Sequence, residues 1–188
     1  MAGKLQRALF EIAEDNYGYV TSAQATGAGV SRHGLADLAR LGSLQRVAHG
    51  VYRIVDFPAS QYDTFFEATL WPQGTRAVLS HDTALDLWDL CDVNPAKVHL
   101  TIPKAHRVRR QVPALYVLHA ADLKPIDIGS FEGIPTTTVQ RTLRDCIASG
   151  TRRDLLNQAI DKAVATRAID ASIADDFRRE LERRGASR

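Results

Sequence analysis

The sequence predicts an α+β chain in two parts, and three observations predict it. Residues 31–53, SRHGLADLARLGSLQRVAHGVYR, combine helical apolar spacing with two short β-prone runs around a His-Gly turn. Just upstream, residues 21–29 read as another short helix ending in Gly27 and Gly29. From residue 61 onward, short apolar strands alternate with helices, and the chain closes on three helical segments. The order helix, turn, helix, wing describes a winged helix-turn-helix over residues 1–57. A mixed α/β domain ending in a helical segment is expected over residues 58–188.

Each element has its own justification. Leu5, Leu9 and Ile12 make one stripe of a first helix over 4–15, and Asn16 to Gly18 break it. Thr21 caps the second helix. Ser31 caps the third, whose Leu35, Leu38 and Ala39 share one face while Arg32, His33, Ala36 and Arg40 share the other. Gly42 stands where a C′ glycine ends a helix. Leu44–Val47 and Val51–Val55 are the strands of the wing, and Pro58 stops the hairpin because it has no N–H for a ladder. Residues 61–71 read as a helix, and 77–79 as a short apolar run. Ser80 is expected to cap a helix reaching Leu90. Lys97–Ile102 and Leu115–His119 are strands, with weaker strands at 126–128 and 134–136. Three helices complete the chain at 138–149, 152–166 and 171–184, and the tail GASR is expected to fray.

Composition sets limits. A chain of 188 residues with 45% hydrophobic residues can bury a real core. Its formal net charge of +2 announces no nucleic acid by itself. Placement says more. Arg32, Arg40 and Arg46 gather on the third helix and wing, whereas Glu11, Glu14 and Asp15 lie on or just after the first helix. A second helix of such a motif can enter the major groove with the wing beside it. Residues 57–96 carry Arg76 against six acids, a net −5, and residues 97–111 carry five bases and no acid. The loop Lys104, Arg107, Arg109, Arg110 is therefore expected to face an anionic partner or the acidic segment. No apolar run has the length of a membrane span, and no signal-peptide layout opens the chain, so a soluble cytoplasmic protein is expected. Cys91 and Cys146 have neither metal nor redox spacing and read as buried apolar residues.

Catalytic patterns are missing. Ser80, His81 and Asp82 have the letters of a triad, but adjacent helical residues diverge by about 100° and cannot converge as one. His81 and His99 have no ligand partner at metal spacing. Gly129 and Gly133 lack the lysine and helix of a phosphate loop, and Asp86 with Asp89 reads as a solvated face. Neither enzyme activity nor a metal, cofactor or small-molecule substrate is expected.

The run GYVTSAQATGAGVSRHGLADLARLGSLQRVAHGVYRI resembles the winged-helix domain of AbiEi-type antitoxins from bacterial type IV toxin–antitoxin systems. The segments AVLSHDTALDLWDLCDVNPAKVHLTIP and GIPTTTVQRTLRDCI resemble the region C-terminal to that domain, so the likeness spans about residues 10–150. Gly50–Tyr52 of the wing and Ser80–Leu85 are its most telling motifs. The resemblance implies a repressor that binds operator double-stranded DNA of its own operon. It also implies an antitoxin domain that neutralises a cognate nucleotidyltransferase-like toxin. Carried onto this chain, the DNA-reading positions are Arg32, His33 and Arg40 of the helix and Gln45, Arg46 and His49 of the wing. His49 departs from the arginine or lysine common at such wing tips, and a free histidine is mostly neutral at pH 7. Three other readings stay open: a winged helix that contacts only protein, a regulator without a toxin, and a relative of proteins carrying a Vsr-like endonuclease domain. The closing helices here offer no acidic nuclease core for the last of these.

Overall fold

The structure is a computed structural model that describes residues 2–185; of the GASR tail expected to fray, Gly185 ends the last helix and residues 186–188 lie outside the described residues. The chain divides into two compact units, one up to Arg76 and one from Ala77 onward.

In the first unit, α1 (Ala2–Glu14) is followed by β1 (Tyr19–Thr21), α2 (Ser22–Gly27), α3 (Arg32–Arg40), β2 (Leu44–Ala48), β3 (Val51–Ile54) and α4 (Asp63–Leu70). The α2 start is a full capping box: Thr21 Oγ1 accepts from the Gln24 N–H at 3.2 Å, and Gln24 Oε1 accepts from the Thr21 N–H at 2.9 Å. Ser31 Oγ likewise accepts from the Gly34 N–H at 3.0 Å, and Gly42 takes φ +80 just past α3. Leu9, Ala13, Val20, Ala25, Val30, Leu35, Leu38 and Leu44 form the core between helices and wing.

Strand β1 goes beyond the elements expected from sequence. Its three residues are too short to show a period, and it exists because it pairs with β3, Val20 opposite Tyr52, in an antiparallel sheet ordered β1-β3-β2. The turn before it puts Tyr17 at φ 54 and Gly18 at φ 80. A Cβ on Gly18 would lie 2.7 Å from the Phe57 ring.

The first unit also runs past the boundary expected at residue 57. Helix α4 packs on the back of the wing sheet. Phe66 is fully buried under Tyr17 and Tyr19, at ring centroid distances of 5.1 and 5.8 Å. Arg53 of β3 pairs with Asp63 at 3.0 Å, and Tyr19 donates its hydroxyl to Glu67 at 3.0 Å. Burial, then the Glu67 charge, push the Tyr19 phenol far above its usual pKa, so it remains a donor. Two of the acids in the 57–96 run are thus spent inside this unit.

The second unit contains β4 (Val78–Leu79), α5 (His81–Leu87), β5 (Val98–Ile102), β6 (Tyr116–Ala120), a 3₁₀ turn (Pro125–Asp127), β7 (Ile128–Phe131), β8 (Ile134–Thr137), α6 (Val139–Ser149), α7 (Arg153–Ala165) and α8 (Ala171–Gly185). Its five-stranded mixed sheet has the order β6-β5-β4-β8-β7. Central β4 pairs antiparallel with β5 and parallel with β8, while β5 and β6 run parallel, Thr101 opposite His119. Leu85, Leu143, Cys146, Ile147, Leu156, Ile160 and Phe177 pack α5 through α8 together, with Cys91 and Cys146 both buried and free as thiols. Arg141 bridges Asp127 and Asp145, each at 2.9 Å.

Two local expectations change. The run 126–128 begins as a 3₁₀ turn, because Asp127 Oδ2 accepts from the Lys124 N–H at 3.0 Å, and the strand starts only at Ile128. Helix α5 ends at Leu87 rather than Leu90, and Asp89 adopts φ 51. No helix among the described residues is long and apolar enough to cross a membrane.

Candidate nucleic-acid interface

Helix α3 buries Leu35 and Leu38 and leaves Arg32, His33, Asp37 and Arg40 exposed. That division comes from the 3.6-residue period alone, since the leucines stand on one side and the charges on the other. The wing divides by its period of two. Leu44 and Arg46 point to the helix side of the sheet. Leu44 enters the core, while Arg46, nearer the wing tip, stays exposed. Gln45 is registered with Arg53 and Tyr19 and belongs to the opposite face.

One cleft collects the N-terminal ends of α2 and α3, the wing tip and the segment after α4. Arg32, Arg46, His49 and Arg76 line it. No carboxylate is among its lining residues. Arg46 Nη2 lies 3.1 Å from His49 Nδ1, so the guanidinium, which can only donate, fixes that nitrogen as an acceptor. Gln73 donates to the His49 carbonyl at 3.1 Å and ties the wing tip down. Arg76 lies over the Phe66 ring, 5.0 Å from its centroid, and burial lowers its guanidinium pKa.

Of the six sequence-derived positions, the fold brings Arg32, Arg46 and His49 around this cleft. His33 and Arg40 lie on the exposed face of α3 outside the cleft lining, and Arg40 faces Asp37 at 3.6 Å. Gln45 is placed on the far face of the wing. Arg76 was missed, although it is the single base in an acidic run of forty residues, and that isolation was the available signal.

The loop Lys104–Gln111 has no helix or strand. Lys104, Arg107 and Arg109 are exposed. Arg110 is half-buried, and burial lowers its guanidinium pKa.

The second unit holds a cluster that spacing could not show. His81 and His99 gain a neighbour in His119, and one ring nitrogen of each lies within 4.8 Å of the others. His99 Nδ1 is 3.1 Å from His119 Nε2, and the His81 and His119 rings stack with centroids 3.5 Å apart. Ser80 is not the side-chain cap expected. Its hydroxyl meets His81 Nδ1 at 2.9 Å and accepts from Thr101 Oγ1 at 2.8 Å. Burial, then the His119 and His99 charges, bring His81 down to about 3. Burial also lowers His99 and His119, so all three are neutral at pH 7.

Comparison with known proteins bears on both units. No curated protein matches the chain. Its fold is similar to the crystal structure of the RV2827C protein from Mycobacterium tuberculosis, with a TM-score of 0.51 over 93% of this chain and 71% of that one. At 16% identity this is a likeness of α+β fold. Residues 7–55 match a family model described as a transcriptional regulator, AbiEi antitoxin. That match covers the stretch that holds the third helix and the wing.

Proposed function

We propose that this chain binds operator DNA of its own operon and represses it, and that it neutralises a nucleotidyltransferase-like toxin, both in the cytoplasm. The observation that carries the DNA half is the cleft with three arginines and no carboxylate, beside the exposed face of α3. Guanidinium groups at a concave site suit phosphate oxygens, which they meet through paired N–H donors. A phosphate held by Arg32, Arg46 and Arg76 would set the register of α3, leaving His33 and Arg40 to face base edges. His49 adds a polar ring at the wing. The family of residues 7–55 supports the regulator and antitoxin roles in general terms. The net −5 of residues 57–96 is divided between the two units, so the basic loop of 104–110 is the more concentrated charge available for a partner.

The test uses the full chain and a duplex from its own upstream region. The wild type should shift the duplex, with affinity falling steeply as salt rises. Arg32→Ala combined with Arg46→Ala should weaken binding by about 30-fold or more and flatten the salt slope by about two. The same double variant should still rescue growth when co-expressed with the nucleotidyltransferase-like gene of the operon. Equal shifts by variant and wild type would overturn the DNA assignment. Failure of the wild type to rescue would overturn the antitoxin assignment.

A further inference from the structure

We infer that His81, His99 and His119 form a binding site for one divalent transition-metal ion of the zinc class. The three come from separate elements. His99 lies on β5, His119 on the parallel edge strand β6, and His81 at the start of α5. His119 is registered with Thr101, two residues beyond His99, so His99, Thr101 and His119 share one face of the sheet. The turn from β4 into α5 crosses that face, held by the Ser80 N–H donating to the His99 carbonyl at 3.0 Å. His81 is placed there at φ 53, a left-handed conformation that a side chain normally avoids and that the surroundings must impose.

The distances suit a metal better than a plain histidine contact. With Zn–N bonds of about 2.0–2.1 Å, neighbouring nitrogens of a tetrahedron stand about 3.3 Å apart. His99 Nδ1 and His119 Nε2 are 3.1 Å apart already. The third imidazole, held by Ser80 and stacked on His119, brings a ring nitrogen within 4.8 Å of that pair. His81 also has the support a ligating imidazole needs. With its Nδ1–H donating to Ser80 Oγ, Nε2 keeps the free lone pair, and Thr101 in turn orients Ser80. Because a ligand lone pair lies in the ring plane, His81 must turn out of its parallel stack on His119 as the ion enters. That rotation moves Nδ1 as well, so the Ser80 hydroxyl must follow the turning ring to keep its hydrogen bond.

The donor set fixes the class of ion. Three imidazoles suit zinc, copper, nickel or iron, whereas magnesium and calcium need oxygen ligands. Three protein ligands leave one tetrahedral position, which solvent reaches because His99 and His119 are only half-buried. The ion would clamp edge strand β6 to β5 and to the start of α5.

The experiment titrates untagged, metal-stripped full-length chain with Co²⁺, then displaces it with Zn²⁺. One Co²⁺ per chain should bind with visible absorption of tetrahedral intensity, and X-ray absorption of the zinc form should show three imidazole nitrogens. His119→Gln and His99→Gln, both at half-buried positions, should each weaken binding by at least about 100-fold, with circular dichroism reporting whether each variant folds. His33→Gln, an exposed histidine of α3, should leave binding unchanged. The inference is overturned if the folded wild type gives no such absorption. It is equally overturned if folded His119→Gln binds like wild type, or if His33→Gln abolishes binding.

Discussion

The cleft of the first unit and the helical layer of the second use their cations in opposite ways. Around the cleft of the first, Arg32 and Arg46 are exposed, and no acid lines the cavity they face. In the second, Arg141 is held between Asp127 and Asp145, and Lys162 meets Asp89 at 2.6 Å. Arginines left without a counterion in a concave site suit an external anion, whereas arginines already paired hold a fold together. The difference teaches where to look for each partner. In the first unit the side chains to test are the unpaired cations. In the second they are the exposed Lys104, Arg107 and Arg109 of the loop and, as neutral groups, the three imidazoles.

The sharpest way to break this comparison is to remove what each unit is built on. Phe66→Ala should cost about 3–5 kcal/mol in chemical denaturation, because a fully buried ring is lost from under Tyr17 and Tyr19. It should also weaken operator binding by up to about tenfold, as removing Arg76 itself would, since Arg76 rests on that ring. A loss below about 1 kcal/mol would detach α4 from the first unit. Next comes Arg141→Leu, expected to cost about 3 kcal/mol because it strands two largely buried carboxylates, while leaving operator binding intact. Loss of operator binding in that variant would mean the charge roles are not segregated. Arg76→Gln should weaken operator binding by about tenfold and reduce the salt slope by about one, with stability little changed. An unchanged slope would remove it from the phosphate contacts. The smallest effect is Asp37→Asn, which frees Arg40 and should raise affinity for any duplex by a few-fold, read from binding curves on operator and unrelated DNA.

How legible these features were depends on how local they are. The α2 and α3 caps, the glycine after α3 and the wing turn are all written within a few residues, and each stands as the local chemistry requires. Strand β1 and the membership of α4 were not readable, because both depend on pairing and packing with β3 across intervening segments. Arg32, Arg46 and His49 were nearly adjacent in sequence and could be found, whereas Arg76 reaches the cleft only after α4 has folded back. Ser80 looked like a cap by residue type, but Thr101 and His81 took its hydroxyl. His81, His99 and His119 share no spacing rule at all, since sheet register brings His99 and His119 to one face and the turn into α5 adds His81.

The pairing of Asp37 with Arg40 on the outer face of α3 bears on how such a repressor would be distributed in a cell. Genomic DNA offers on the order of a million or more competing non-cognate sites, and what draws a protein to them is uncompensated positive charge. A helix that carries its own counterion gives up some grip on every sequence alike. More copies of such a repressor would then remain unoccupied, and small changes in its number would be felt at its promoter.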